Sequence, residues 1–119
     1  RPLKRGEVWW ADLVPRSGSE QRGRRPVVVV SHDALNTTEA WRSIVIVPVT
    51  TSRRQAERSW TVVPLERGEA GLTHPSYAVC HQITTLDRGK FVERIGVLAP
   101  TSVDRIDEGL LVALDLPAE

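Results

Sequence analysis

Arg25-Pro26-Val27-Val28-Val29-Val30-Ser31 is the segment on which the fold turns. Four consecutive valines are β-branched and stiff at χ1, which favours a pleated strand over a helix. They are apolar at every position rather than at alternate ones, so the strand is covered on both faces and lies centrally in a sheet. The run is far too short for a membrane span, which needs about 20 apolar residues.

Working outward, Glu7–Leu13, with Val8, Trp9 and Trp10, predicts a strand upstream, and Pro15–Gly23 an exposed loop. Asp33–Trp41 predicts a short helix or turn with Asp33 as its cap. Ser43–Thr51 is a further strand, with Pro48 expected at its end or on an edge. Ser52–Ser59 is a second polar loop, carrying Arg53, Arg54 and Arg58. Trp60–Leu65, Ser76–Ile83 and Phe91–Leu98 read as three more strands. A terminal helix has Val103, Ile106, Leu110, Leu111 and Leu114 on one face, Thr101 or Ser102 as cap, and Pro117 as stop. The expectation is mainly β with α: a compact, partly closed antiparallel sheet with peripheral helices. No linker or repeat divides it, so residues 1–119 read as one domain.

The chain has 119 residues and a formal charge of +1, with 40% hydrophobic and 26% charged residues. Those values exclude a disordered chain and a binder that relies on bulk charge. The charge is nonetheless uneven. Arg16, Arg22, Arg24 and Arg25 face only Glu20 within residues 16–25, whereas Asp104, Asp107, Glu108, Asp115 and Glu119 crowd the C-terminal segment. The clustering suggests a localised anion site, with a solvated basic loop and a solvated acidic helix as the other reading. The sole cysteine, Cys80, permits no internal disulfide and suits a reducing compartment. The N-terminal Arg-Pro-Leu-Lys-Arg-Gly shows no leader-like apolar stretch, so a cytoplasmic location is expected.

His32, His74, His81 and Cys80 show no metal-ligand spacing, and neither a phosphate-cradling glycine loop nor a nucleophile elbow is present. No metal and no cofactor are expected. Cys80, inside an apolar strand, reads as an inert buried thiol. What remains is Arg, Thr, His and Gln beside polar loops. A guanidinium fork holds phosphate through paired hydrogen bonds. Such groups suit a phosphodiester that supplies its own nucleophile, as the 2′-hydroxyl of RNA does.

Taken in order, the motifs resemble the MazF/PemK (Kid) family of toxin endoribonucleases. Lys4-Arg5-Gly6-Glu7-Val8-Trp9-Trp10-Ala11-Asp12-Leu13 is similar to the family's first strand. Gly18-Ser19-Glu20-Gln21-Arg22-Gly23-Arg24-Arg25-Pro26-Val27-Val28-Val29 is similar to its most specific motif. Ser31-His32-Asp33, Pro48-Val49-Thr50-Thr51-Ser52 and Gly71-Leu72 to Pro75-Ser76 follow. Then come His81-Gln82-Ile83-Thr84-Thr85-Leu86-Asp87 and Ile95-Gly96-Val97-Leu98. The resemblance implies a small SH3-like antiparallel barrel of the CcdB/PemK type, with short helices and a C-terminal helix, assembled as a homodimer. It implies metal-independent cleavage of single-stranded RNA to 2′,3′-cyclic phosphate and 5′-hydroxyl ends, and neutralisation by a cognate antitoxin. No membrane partner is implied.

The same resemblance puts the catalytic arginine at Arg25 and the threonine at Thr50, with RNA contacts from Ser19, Glu20, Gln21, Arg24, Thr51, Ser52, Arg53, Gln82 and Thr84. At two positions the chain departs from the pattern. His81 stands where relatives carry a carboxylate, and histidine is a side-chain type that exchanges protons near neutral pH. Thr84 stands where an arginine is usual. Two readings of His81 are open, catalytic group or hydrogen-bonded half-buried strand residue. Trp9 and Trp10 read as core or dimer contacts, Glu7 and Asp12 as solvated. Trp41 and Trp60 lie near loops where they could stack on bases, with burial the favoured reading. Two other functions compete: a non-catalytic RNA- or peptide-binding barrel, and a gyrase-inhibiting toxin of the same fold. The latter's Trp-Gly-Ile terminus has no counterpart in Leu-Pro-Ala-Glu.

Overall fold

The valine run is the middle of the sheet. The structure, a computed structural model, describes residues 2–13, 23–56 and 60–117. Strand β2 (Gly23–Val29) pairs antiparallel with β1 (Glu7–Leu13) on one side and β3 (Ser43–Thr50) on the other, with Val28 opposite both Val8 and Val47. Both faces of β2 are buried along Val27–Val29. Val27 and Val29 pack with Trp9, Ala11, Ile44, Ile46 and Phe91 on one side. Val28 packs with Val8, Val47, Val49, Val63, Ala78 and Ile106 on the other.

The remaining strands are β4 (Val62–Leu65), β5 (Ser76–Val79), β6 (Thr84–Asp87) and β7 (Phe91–Val97). The order is β4-β5-β3-β2-β1-β7, with β6 also on β3 and every pairing antiparallel. Ser76–Ile83 is therefore not one strand. It breaks after Val79 into a 3-10 turn, Cys80–Gln82, before β6 resumes. The turn is needed because Ala78 lies opposite Val49 whereas Thr84 lies opposite Ile46, so the chain from Ala78 to Thr84 carries more residues than β3 offers. Pro48 sits inside this central strand, not at an edge. It falls where β3 has left β6 and not yet met β5, so that side has no ladder to interrupt.

No ladder joins end strands β4 and β7 among the described residues. Instead the turn Glu69–Gly71, which follows β4, packs on β7. A β-carbon on Gly71 would meet the Ile95 carbonyl oxygen at 2.7 Å, and one on Gly96 the Ala70 carbonyl at 2.6 Å. The sheet is thus open as a ladder, with backbone packed against backbone along this seam.

The helix α1 (Asp33–Asn36) is capped by His32, whose Nδ1 accepts from the Ala34 N–H at 2.9 Å, while Asp33 sits in its first turn. Glu7 is buried at 6% exposure, because Lys4 N–H, Trp9 Nε1–H and Arg94 all satisfy its carboxylate. The terminal helix α3 (Pro100–Ala113) follows Ala99 with Pro100 in its first turn, so Thr101 and Ser102 lie within it rather than capping it. Its Ile106 plugs the core beneath the Cys80–Gln82 turn and β4. No described helix is long and apolar enough to cross a membrane.

Candidate functional site

Arg25 and Thr50 lie on adjacent strands, β2 and β3, whose register runs toward both. Val27 lies opposite Pro48, Val28 opposite Val47 and Val29 opposite Ile46. Two residues beyond the Val27–Pro48 pair, where the ladder ends, a continuation of the same register sets Arg25 on β2 in line with Thr50 at the end of β3. Alternation places both on the face that carries Val27, Val29 and Ile46, the face away from Ile106 and α3. Arg25 is exposed and opposite Ala11; Thr50 is half-buried and opposite Tyr77 of β5. No motif marks Tyr77. It reaches the site only through the β3–β5 register, which a one-strand reading of Ser76–Ile83 hides.

The segment after β3 turns sharply at Thr50, whose Oγ1 accepts from the Ser52 N–H at 3.1 Å. That bond uses a lone pair and leaves the hydroxyl proton available as a donor. Thr51, Ser52 and Arg53 are exposed beyond it, and Arg53 and Arg54 open α2 (Arg53–Ala56), which packs on β4 and β5. The expected basic loop is in this part a helical turn. Arg24 points its guanidinium to Asp12, Nε to Oδ1 3.3 Å, in an exposed pair that offsets part of its charge.

His81 is exposed in the Cys80–Gln82 turn, which packs against β3 and α3. It is neither half-buried nor on a strand, although it is hydrogen-bonded: Nδ1 lies 2.7 Å from Thr61 Oγ1. The Thr61 carbonyl also accepts from the Cys80 N–H at 2.9 Å, so one residue of β4's approach holds the turn twice. Gln82 is half-buried beside it. Thr84 is half-buried on β6 opposite Ile46, four positions along β3 from Thr50, and so is not gathered with the Arg25–Thr50 pair. Ser19, Glu20 and Gln21 lie outside the described residues, as do Arg16, Arg22 and Arg58.

Other charges have structural partners. Arg5 pairs with Asp107, Arg42 with Asp87 at 3.0 Å, and Arg94 with Glu7 at 3.2 Å. The Arg42 guanidinium, with the Gly89 N–H, holds the Asp87 carboxyl below its usual range. Asp33 is lowered by the Arg5 backbone N–H and then by Asn36. Burial pushes the Cys80 thiol up to about 11, which removes it as a nucleophile near neutral pH. Among the described residues no three His, Cys, Asp or Glu side chains are placed to share a metal ion.

Of the tryptophans, Trp9 is core, packed edge-on to Phe91 with centroids 6.0 Å apart. Trp10 is 37% exposed and Trp41 46%, the latter donating Nε1–H to the Ser43 carbonyl. Trp60 is 90% exposed, against the favoured expectation of burial. The reason is its place before β4, where alternation turns Thr61 inward and its neighbour outward.

Comparison with known proteins agrees with the strand pattern and the motifs. Residues 4–114 match the family described as PemK-like, MazF-like toxin of type II toxin-antitoxin system. Endoribonuclease EndoA of Bacillus subtilis is 34% identical over 114 residues, covering 96% of each chain. A mycobacterial endoribonuclease solved in complex with its cognate antitoxin superposes with a TM-score of 0.77 at 29% identity, covering 100% of both chains. MazF from Deinococcus radiodurans, at 23% identity and a TM-score of 0.77, covers 97% of this chain and 98% of its own and shares the fold. The chain belongs to the PemK/MazF family of type II toxin–antitoxin toxins.

Proposed function

We propose that the chain is the toxin endoribonuclease of a toxin–antitoxin pair, cleaving single-stranded RNA with Arg25 and Thr50 at the scissile phosphate. The observation that supports this is the β2–β3 register, which, continued two residues past Val27 and Pro48, lines these two residues up on one face. The 2′-oxygen of the substrate attacks the adjacent phosphorus as its proton departs. The bond from phosphorus to the 5′-oxygen breaks, and that oxygen gains a proton. A 2′,3′-cyclic phosphate and a 5′-hydroxyl result. Arg25 stabilises the charge that develops on the non-bridging oxygens and takes part in the proton transfer to the leaving oxygen. Thr50 donates its hydroxyl to the phosphate. The nucleophile comes from the RNA, so the step calls for no metal-bound water or cofactor.

His81 either takes the 2′-proton or orients the turn that carries Gln82, whose amide can read a base edge. Thr51, Ser52 and Arg53 line the approach; Ser19, Glu20, Gln21, Thr84 and Arg24, which alternates to the other face of β2 from Arg25, are further RNA contacts. The relative solved with its cognate antitoxin supports an antitoxin as partner of this chain; an antitoxin lying across this face would displace RNA. A homodimer in the cytoplasm completes the reading, as two copies double a site that is small for RNA. The reading's test is incubation of purified protein with mixed-sequence RNA in EDTA. Cyclic-phosphate ends are expected, and Arg25→Ala and Thr50→Ala each lower the rate at least ~100-fold. Unchanged cleavage by both variants would overturn the assignment, and binding without cleavage would point to a non-catalytic barrel.

A further inference from the structure

We propose that Trp60 is a base-stacking platform on the RNA path and sets which base is accepted a few nucleotides from the cut; this rests on the endoribonuclease reading above. Its indole is 90% exposed, the most exposed of the large apolar side chains described. Leaving an aromatic surface of this size in water forfeits burial free energy that most tryptophans recover, so an occupant that covers it is gained cheaply.

The strand pattern says which way it faces. Along β4, Val63 and Leu65 are buried in the core beneath α3, whereas Val62 is half-buried and Pro64 exposed on the opposite side. Thr61 is buried and Trp60 exposed, which continues that alternation through the approach to the strand. Pro64 lies opposite Tyr77, and Tyr77 opposite Thr50. Trp60 therefore belongs to the face that carries Thr50 and Arg25. With strands about 4.8 Å apart and about 3.3 Å per residue, it lies on the order of 15 Å from Thr50, a few nucleotides of extended single strand.

The surroundings favour RNA over a protein segment. Arg53 and Arg54 stand exposed on α2, which packs against β4, the strand that Trp60 precedes, so cationic side chains suited to the backbone lie on the neighbouring element. Aromatic faces beside such a track are the usual platform for single-stranded bases. Exposed aliphatic anchors suited to a protein partner lie elsewhere: Val112, Leu114 and Leu116 belong to α3 and the chain just beyond it, on the other side of the sheet.

The test compares wild type, Trp60→Ala and Trp60→Phe on a random-sequence RNA pool, with sequencing of the 5′-hydroxyl ends. Trp60→Ala is expected to lose selectivity at one flanking position and to raise KM about 5- to 100-fold, with kcat within about twofold, while Trp60→Phe keeps both. In a second measurement, the 2′-O-methyl form of the preferred oligonucleotide quenches indole fluorescence in wild type. In Trp60→Phe it binds with similar affinity and without that quench. Unaltered base preference and KM in Trp60→Ala would overturn the proposal. So would normal RNA cleavage combined with lost inhibition by the antitoxin, which would assign the indole to the protein partner. Failure of the wild type itself to cleave would remove the endoribonuclease reading, and this inference with it.

Discussion

The backbone of Gly109 in α3 passes Cys80 so closely that a β-carbon there would stand 2.7 Å from Sγ and 3.3 Å from the cysteine Cβ. Cys80 cannot retreat, since it is fully buried and its N–H is fixed to the Thr61 carbonyl. Gly109→Ala gains about 1 kcal/mol of helix propensity but overpacks this contact, which costs about 1–3 kcal/mol. A net loss of stability is expected from urea denaturation. Combining it with Cys80→Ala gives the new methyl the space of the sulfur, so the double variant should be more stable than Gly109→Ala alone, with a coupling of about 0.5–3 kcal/mol. Strict additivity would show that helix and turn do not press on one another there.

The same thiol gives a pH dependence with a definite sign. Burial, with a smaller contribution from Asp107, raises the Cys80 pKa to about 11. In the unfolded chain a thiol ionises near 8.5. Between those two values the unfolded state binds fewer protons than the folded one, so stability falls as pH rises and is fully present below the lower value. Urea midpoints measured between pH 8 and 10.5 should decline more steeply in wild type than in Cys80→Ala. Equal slopes would mean that the thiol is not shielded. Alkylation of the folded protein at pH 8 should correspondingly be slow.

The seam between the Glu69–Gly71 turn and β7 is less forgiving than the helix contact. A β-carbon on Gly96 would meet the carbonyl carbon and oxygen of Ala70 at 2.6 Å, and backbone cannot rotate aside as a side chain can. Ala70 already sits in the left-handed region at φ 52°. Gly96→Ala is expected to cost ~3 kcal/mol, more than Gly109→Ala, as the seam parts. A urea midpoint within experimental error of wild type would show that the sheet does not depend on this closure.

How far the sequence reaches follows from which signals are local. Val27 to Val30 specifies a central strand because the pattern is intrinsic to the residues, and Arg25 and Thr50 lie beside recognisable motifs. The Cys80–Gln82 turn is invisible along the chain, since Ser76–Ile83 is strand-like throughout. Only the mismatch between β3's pairing with β5 and with β6 demands the break. Glu7 looks solvated by type, yet Lys4, Trp9 and Arg94 converge on it from different parts of the chain. Trp60 fails for the converse reason. Hydrophobicity argues for burial, but the phase of β4 turns position 60 outward, and phase is set by what Val63 and Leu65 pack against.

Thr50 tests the chemistry most directly. Its Oγ1 already accepts from the Ser52 N–H, so the group offered to a phosphate is its own O–H. Thr50→Ser keeps both functions and should hold the cleavage rate within about tenfold. Thr50→Val has nearly the same shape, lacks the donor, and should lose at least ~100-fold in kcat, within the range for one lost electrostatic contact. Because Thr50→Val also strands the Ser52 N–H, circular dichroism and the urea midpoint should be recorded beside the kinetics. A rate for Thr50→Val equal to that for Thr50→Ser, with the fold intact, would move the phosphate contact away from Thr50. Loss in kcat without a matching rise in KM would place it in the transition state.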